Sequence, residues 1–297
     1  MENNKLPIIR NINDKLLTID LKSYAAKAIS MMTLTESQYY TMIKIMFIVG
    51  LFVFIALFFI QAGYGKFQKS SVIWSVLLLP NKIAWILMEC PIFIEMMLYL
   101  FNALFHLDPS VERRQVTIET LFCFSLFQLH YFQRSFVFPF LIKGKSKMPI
   151  MVMLAGAAFN TCNGILQGNW LFNISSDDYY DNLFKQKSFY LGVFIFFTGM
   201  FINIHSDHVI RTLRKRGDTN HYLPQRGMYR FVTSANYLGE IIEWTGYAIL
   251  TQSLCGVLFV YWTIANLVPR SFSIYNLYLN EFGSDVLKKK RIIPFIM

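Results

Sequence analysis

Apolar stretches of about 20 residues recur along the chain, and they constrain its fold more than any other feature. A helix of that length crosses about 30 Å of hydrocarbon. The composition agrees, because 55% of the 297 residues are hydrophobic and only 15% are charged, with a mean hydropathy of +0.40. We predict an all-α integral membrane protein, a seven-transmembrane-helix bundle. The predicted spans are residues 42–62, 83–105, 116–142, 148–172, 189–210, 231–252 and 253–268.

The first 39 residues precede these spans and carry several lysines and arginines. They lack the continuous apolar core and small-residue cleavage site of a signal peptide. We interpret residues 1–39 as an N-terminal extension of unknown role and residues 40–297 as the membrane domain. The cysteines stand singly in apolar segments, so the sequence predicts neither a disulfide framework nor a metal site. They are Cys90, Cys123, Cys162 and Cys255.

The formal charge of +10 is unevenly distributed between the two sides of the predicted bundle. Most basic loop residues fall on one side, which includes residues 211–230 and 270–291. The positive-inside rule places this side and the C-terminus in the cytosol. The sequon at residues 173–175 falls on the other side, in weak agreement. The basic loops either bind anionic lipid headgroups or a phosphate-rich ligand.

Two carboxylic acids lie within the sixth predicted span, in the stretch SANYLGEIIEWTGY. A charged side chain at the centre of a span costs about 2.5–3.5 kcal/mol, whereas a Leu or Ile returns about 0.3–0.6 kcal/mol. The polar residues follow one another at helical spacing and therefore share one face. We predict that this face points away from lipid. Its members are Asn236, Glu240, Glu243 and Tyr247.

The fifth predicted span carries a second polar stripe, which runs toward the basic 211–230 loop. Amides, acids and arginines in one row can hydrogen-bond a long polar ligand and contact its phosphates. The alternative is that the two helices satisfy each other through Glu–Arg pairs, since buried ions pair. The members of the stripe are Asn203, Asp207, Arg211 and Arg214.

Further polar residues occur in the second and third predicted spans. Glu89 lies just before Pro91, and Tyr131 and Arg134 share a helical face. An acid before a proline can bond freed backbone amides, and an isolated Tyr often only packs. A neutral carboxylic acid beside a phenol can instead donate two hydrogen bonds to a ligand carbonyl. Together these faces predict a cavity inside the bundle.

Several functional classes do not match the sequence. A di-iron desaturase needs several histidine boxes, whereas this chain has five His, of which only His205 and His208 are close together. GxGxxG, GxSxG and HExxH motifs are absent. Nothing in the sequence indicates a nucleic-acid partner or an obligate protein partner.

Five segments identify a family. They are HYFQRSF, AAFNTCNGILQG, GMFINIHSDHVIRTLRK, LPQRGMYRFVTSANYLGEIIEWTGYA and the ending IIPFIM. These segments closely resemble the steroid 5α-reductase family, the membrane 3-oxo-5α-steroid 4-dehydrogenases. The likeness runs from about Ala62 to the C-terminus and is strongest over residues 125–297. It implies a seven-helix, multi-pass protein of the endoplasmic reticulum membrane.

The resemblance also implies an activity. Family members bind NADPH within the bundle and reduce the carbon–carbon double bond of a 3-oxo-4-ene steroid or sterol. The pair that hydrogen-bonds the ketone falls on Glu89 and Tyr131. Polarising the ketone makes carbon 5 electrophilic enough to accept hydride, and the enolate is then protonated at carbon 4. The implied cofactor contacts are Arg134, Asn203, Asp207, Arg214, Asn236, Glu240, Arg270 and Tyr278.

The chain departs from the family pattern at four positions. Met88 replaces a Gln beside the acid, and this change bears on how the ketone is held. The other three departures remove polar contacts near the cofactor, which Lys145 could supply instead. They are Ile142, Ala155 and Ile274, in place of Asn, Arg and His.

Three alternative functions stay open at this point. One is reduction of another carbonyl-conjugated lipid alkene, as in the related enoyl-CoA reductases. A second is a non-catalytic sterol-binding protein, which retention of Glu89, Tyr131 and both polar faces disfavours. A membrane methyltransferase would leave the 5α-reductase-like segments unexplained.

Overall fold

A computed structural model describes residues 21–60, 77–112, 114–143, 146–213 and 222–297, and these residues are predominantly helical. Residues 21–32 form a helical segment that precedes the main helices. The seven main helices are α1 (Glu36–Phe59), α2 (Asn81–Phe105), α3 (Ile118–Phe132), α4 (Ile150–Asn169), α5 (Lys187–Thr212), α6 (Ala235–Thr251) and α7 (Leu254–Phe282).

Five of these helices, α1, α2, α4, α5 and α7, are long and apolar enough to cross a membrane. They indicate a multi-pass membrane protein. The other two helices are shorter, with 15 residues in α3 and 17 in α6. A π-helical turn (Gln133–Val137) and a short α-helical turn (Phe138–Leu141) extend α3. The predicted count of seven spans therefore remains a prediction.

Local sequence accounts for several helix boundaries. A capping box starts α1, in which Thr35 and Gln38 each accept a hydrogen bond from the other's backbone N–H. Ser253 caps α7 by accepting from the N–H of Gly256. The predicted last span ends at residue 268, whereas helix α7 continues through Pro269 to Phe282. Neighbouring helices can satisfy the carbonyl that an internal proline leaves free.

Two short strands, which the sequence analysis did not predict, precede α2 and α4. Strand β1 (Leu78–Pro80) pairs antiparallel with β2 (Lys147–Pro149), with Leu79 opposite Met148. The prolines that end the strands also start the helices, since proline suits a helix N-terminus. The pairing holds the first turns of α2 and α4 at one end of the bundle.

The same end of the bundle carries the C-terminal segment. Thr233 and Ser234, just before α6, donate backbone hydrogen bonds to the carbonyls of Lys290 and Arg291. Arg291 in turn lies over the rings of Phe272 and Tyr275 of α7. These contacts fasten residues 290–291 to the start of α6. We call this end of the molecule the basic end, because the helices that flank the predicted cytosolic loops start or end here.

The opposite end is covered by the residues that precede α1. Ile29 is fully buried in the main core. The N–H of Leu34 donates to Asn169 Oδ1 over 2.9 Å, and Asn169 Nδ2 donates to the carbonyl of Met32. Residues 29–34 thus pack on the bundle, whereas residues 1–20 lie outside the described part of the chain. The predicted domain boundary after residue 39 remains a prediction.

Helices α5 and α6 approach each other closely along glycines. A Cβ on Gly199 would lie 2.1 Å from the backbone nitrogen of Glu243, and one on Gly239 would lie 2.4 Å from that of Asn203. Side chains larger than hydrogen would separate the two helices. The close approach brings the polar stripes of α5 and α6 side by side.

Candidate functional site

The two polar stripes meet in a buried cluster near the basic end. Asn203 Nδ2 donates to the carbonyl of Asn236 over 3.0 Å, and Asn236 Nδ2 lies 3.3 Å from Asp207 Oδ1. Asn203 Nδ2 also lies 3.5 Å from Glu240 Oε2. Four of the predicted cofactor residues are therefore brought together, as their spacing indicated.

Arg134, in the π-helical turn that follows α3, is the cation of this cluster. Its Nη1 donates to Asp207 Oδ2 over 3.2 Å, and its Nη2 lies 3.9 Å from Glu240 Oε2. The guanidinium carbon lies 4.8 Å from the ring centroid of Trp85 and 4.6 Å from that of Phe138. The rings and acids leave the arginine side chain only 10% exposed. We call Arg134, Asn203, Asp207, Asn236 and Glu240 the arginine cluster.

The sequence analysis left open whether the acids of the two stripes pair with arginines of the same two helices. The structure pairs Asp207 and Glu240 with Arg134, which belongs to neither of these helices. Arg134 lies in the π-helical turn, a local widening that often marks functional sites. The pairing explains how the acids are tolerated in the bundle, and it leaves their role toward a ligand to be tested.

The loop before α6 supports the arginine cluster from the basic end. The hydroxyl of Tyr229 donates to Asn236 Oδ1 over 3.2 Å. The carbonyl of Tyr229 accepts a hydrogen bond from Lys289 Nζ, which also donates to Gln225 Oε1 over 3.0 Å. Burial lowers the pKa of Lys289 below its ordinary value. The C-terminal segment is thereby linked to Asn236, a connection that the sequence analysis did not predict.

The predicted ketone pair lies around one amide side chain of α4. Asn160 Nδ2 donates to Glu89 Oε2 over 3.0 Å, and the Tyr131 hydroxyl lies 3.4 Å from Asn160 Oδ1. All three residues are buried, with relative exposures of 9% for Glu89, 2% for Tyr131 and 5% for Asn160. We call these three residues the ketone cluster. Arg134 follows Tyr131 by about one helical turn, across the end of α3, so the two clusters adjoin.

The predicted stripe on α6 is divided between different partners. Glu243 Oε1 contacts His130 Nδ1 of α3 at 2.8 Å rather than the arginine cluster. Tyr247 packs against the rings of Phe127 and Trp244. Only Asn236 and Glu240 of this stripe reach the arginine cluster. The sequence analysis missed His130, although its position next to Tyr131 was a usable signal.

Three further residues are predicted to contact the cofactor. Arg214 lies outside the described residues, as does Lys145. Arg270 is half-buried and Tyr278 is buried, both on α7. Their assignment to the cofactor stays a prediction.

The four departures from the family pattern occupy different environments. Met88 packs against Gly156, where a Cβ would lie 2.5 Å from the Met88 sulfur. Ala155 is exposed on the outside of α4, and Ile142 and Ile274 are half-buried. Met88 is therefore the departure that lies directly beside the ketone cluster.

The predicted sequon lies in a compact turn at the end of α4. Asn173 Nδ2 lies 3.2 Å from Asn169 Oδ1, and the buried Ser175 accepts from Arg114 Nη1. Both ends of the sequon are engaged in hydrogen bonds. The sequon therefore adds little support to the predicted orientation.

Apolar helices around two adjoining buried polar clusters define a class, a polytopic membrane protein with a polar site inside its helical bundle. The profile of the 3-oxo-5-alpha-steroid 4-dehydrogenase family matches residues 146–297. The chain belongs to this family, also called the steroid 5α-reductases.

Individual relatives agree with the family assignment. The human protein named 3-oxo-5-alpha-steroid 4-dehydrogenase 2 is 39% identical over 241 residues, covering 79% of this chain and 88% of the relative. Human 3-oxo-5-alpha-steroid 4-dehydrogenase 1 is 36% identical over 217 residues, covering 73% and 80%. Steroid 5-alpha-reductase DET2 of Arabidopsis thaliana is 32% identical over 246 residues, covering 80% and 88%. The resemblance seen in the sequence motifs is confirmed.

Proposed function

We propose that the protein reduces the 4,5 double bond of a 3-oxo-4-ene steroid or sterol, with NADPH as hydride donor. The names of its relatives support a steroid 5α-reduction. The observation that carries the proposal is the ketone cluster, in which a buried acid and a buried phenol share one amide partner beside the arginine cluster. Hydrogen-bond donors for a ketone, in the ketone cluster, thus lie next to polar groups that could contact a cofactor, in the arginine cluster.

The residues of the arginine cluster fit NADPH by their chemistry. Asp207 and Glu240 supply carboxylate acceptors for ribose hydroxyls and a carboxamide, and Arg134 supplies a cation. The buried hydroxyl of Ser206, next to Asp207, has no hydrogen-bond partner among the described residues. An unpaired buried hydroxyl at this place supports a ligand that completes the site. Asn203 and Asn236 would hold further polar groups of the same molecule.

In this proposal the ketone cluster activates the substrate. Tyr131 donates a hydrogen bond to the ketone oxygen, and a neutral Glu89 donates a second one. Both bonds strengthen as negative charge develops on that oxygen. NADPH, when bound, supplies the hydride that adds to carbon 5. The surrounding aromatic side chains, among them Phe127 and Trp244, exclude water from the reaction.

We place the protein in the endoplasmic reticulum membrane with its C-terminus in the cytosol. The support is the concentration of basic residues in the loops at the basic end of the bundle. This orientation lets cytosolic NADPH reach the arginine cluster from the side on which α5 ends and α6 begins.

Product analysis tests the activity. Purified protein is incubated with NADPH and a panel of 3-oxo-4-ene steroids, and products are identified by mass spectrometry. The proposal expects 5α-reduced ketones. A parallel incubation with conjugated enoyl-CoA substrates tests the alternative, which would be favoured if only those thioesters were reduced. A lack of product from both panels would favour a non-catalytic sterol-binding protein.

Substitutions in the stripes separate cofactor binding from helix pairing. Glu240→Gln keeps the size of the side chain and removes the acceptor charge, and Asn236→Ala removes the contact with Asp207. We expect both to weaken NADPH binding much more than thermal stability. The measurements are NADPH affinity and melting temperature, with Glu119→Gln on the far end of α3 as the control. Parallel losses of melting temperature and NADPH affinity would support a helix-pairing role alone.

Cofactor choice provides a second prediction. Basic residues of the 211–230 region and Arg270 are expected to contact the 2′-phosphate that distinguishes NADPH from NADH. Such a charge-assisted contact contributes about 1.5–3 kcal/mol, or roughly ten- to a hundredfold in kcat/KM. The two cofactors are compared at matched ionic strength. Equal efficiencies would refute this assignment of the basic residues.

A further inference from the structure

Asn160 occupies the centre of the ketone cluster, although no role for it was expected. It lies on α4 and reaches across to two other helices. Its Nδ2 donates to the backbone carbonyl of Met88 over 2.8 Å and to Glu89 Oε2 over 3.0 Å. Its Oδ1 lies 3.4 Å from the Tyr131 hydroxyl. The Asn160 amide thus hydrogen-bonds both residues of the ketone pair and the backbone beside them.

The backbone contact fixes the orientation of this amide. The carbonyl of Met88 can only accept, so the group that faces it must be the NH2 of Asn160. A flipped amide would bring two oxygens together at 2.8 Å. The carbonyl oxygen of Asn160 therefore faces Tyr131, and the second N–H faces Glu89.

The orientation of the amide determines which atoms of the ketone pair remain available. Because Glu89 Oε2 accepts from Asn160, the proton of a neutral Glu89 resides on Oε1. The hydroxyl proton of Tyr131 points toward Asn160 Oδ1 across a long and therefore weak hydrogen bond. A ketone oxygen entering the cluster can replace Asn160 Oδ1 as the acceptor of this hydrogen bond at little cost.

We propose that Asn160 is a positioning residue of the reductase, which holds Glu89 so that Oε1 faces the ketone and keeps the Tyr131 hydroxyl in place until the ketone oxygen replaces Asn160 Oδ1 as its acceptor. This inference rests on the proposed function of the two residues. Asn160 itself needs no contact with the substrate, because it acts through its neighbours.

Met88 gives the inference a second line of support. Its side chain packs against Gly156, one turn of α4 before Asn160. Met and Gln are similar in length, and the family resemblance led us to expect Gln at this position. In this chain the amide beside the acid comes from α4 rather than from α2. A Gln introduced at position 88 should therefore supply part of the hydrogen bonding to Glu89 that Asn160 provides.

The test compares Asn160→Leu, Asn160→Ala and the double variant Met88→Gln with Asn160→Ala. Turnover with a 3-oxo-4-ene steroid, NADPH affinity and melting temperature are measured for each. We expect turnover to fall about tenfold or more in both single variants, with NADPH affinity unchanged. The double variant should regain part of the turnover without a matching gain in melting temperature. Asn102→Ala serves as the control, because Asn102 is buried near the other end of α2.

Two results would overturn the inference. One is near-wild-type turnover in Asn160→Leu, and the other is a loss of turnover that follows melting temperature and NADPH affinity in every variant, including Asn102→Ala. Tyr131→Phe, measured in parallel, distinguishes a failure of the positioning role of Asn160 from a failure of the proposed function of the ketone cluster. If Tyr131→Phe is impaired but the Asn160 variants are active, only the positioning role fails. If Tyr131→Phe is fully active, the proposed function of the ketone cluster fails as well.

Discussion

Tyr131→Phe should lower steroid turnover by about a hundredfold or more while leaving NADPH affinity unchanged. The substitution removes one hydroxyl from a side chain that is only 2% exposed. In our account this hydroxyl stabilises the negative charge that develops on the ketone oxygen. Removing one such donor from an oxyanion site lowers turnover by about 100- to 1000-fold. Turnover and NADPH binding are measured separately so that the two effects can be distinguished.

Tyr247→Phe is a matched control for this experiment. Tyr247 is also buried, and it packs against the rings of Phe127 and Trp244 without a hydrogen bond to either polar cluster. The same chemical change should therefore have little effect on turnover. Wild-type turnover in Tyr131→Phe, or equal losses in both variants, would contradict the role of Tyr131.

Substitutions of Glu89 extend the same prediction to the second donor. Glu89→Gln keeps an amide that can donate to the ketone, whereas Glu89→Leu has no donor. We expect Glu89→Gln to retain more activity than Glu89→Leu, with NADPH affinity maintained in both. A loss of NADPH binding in Glu89→Leu without a separate effect on turnover would place Glu89 in the cofactor site instead.

Arg134→Leu should have the largest effect on stability and should also abolish measurable NADPH binding. Arg134 contacts both Asp207 and Glu240 and is enclosed by aromatic rings. Removing it leaves two carboxylates inside the bundle without their cation. Breaking a buried ion pair in this way costs about 3–5 kcal/mol. The measurements are melting temperature and its increase on addition of NADPH, which reports binding.

Two further variants show whether the effect belongs to this arginine. Lys187→Leu removes one exposed cation at the start of α5 and should change neither quantity much. Arg134→Lys keeps the charge but loses the bidentate guanidinium. Relative to Arg134→Leu, it should recover part of the stability and a smaller part of the NADPH binding. An Arg134→Leu protein with normal stability and normal NADPH protection would show that the arginine cluster is not the cofactor site.

Much of the fold was accessible from apolar length and helical spacing. The main helices were found near their observed positions, because about 20 apolar residues leave few alternatives to a membrane helix. Helix α7 extends beyond the predicted span through Pro269, because neighbouring helices can compensate for an internal proline. The short strands were missed because three residues carry no periodic signal.

Most residues of the arginine cluster were predictable from the sequence. In the ketone cluster, Glu89 and Tyr131 were predicted and Asn160 was not. Helical spacing places Asn203 with Asp207 and Asn236 with Glu240 on single faces. The close packing of α5 against α6 and the approach of Arg134 from the turn after α3 remained to be learned. The role of Asn160 depends on how α4 is rotated relative to α2 and α3, which spacing within α4 does not determine. The contact between Glu243 and His130 likewise depends on a pair of helices that are distant in sequence.

The central claim is tested most directly by following one hydrogen atom. The purified protein is supplied with a 3-oxo-4-ene steroid and with NADPH that carries deuterium at the transferable position of its nicotinamide ring, and the product is examined by mass spectrometry and NMR. Our account predicts a 5α-reduced ketone with one deuterium at carbon 5 and ordinary solvent hydrogen at carbon 4. Steroid recovered unreduced under conditions in which the protein binds NADPH, or a product with deuterium at any carbon other than carbon 5, would contradict it.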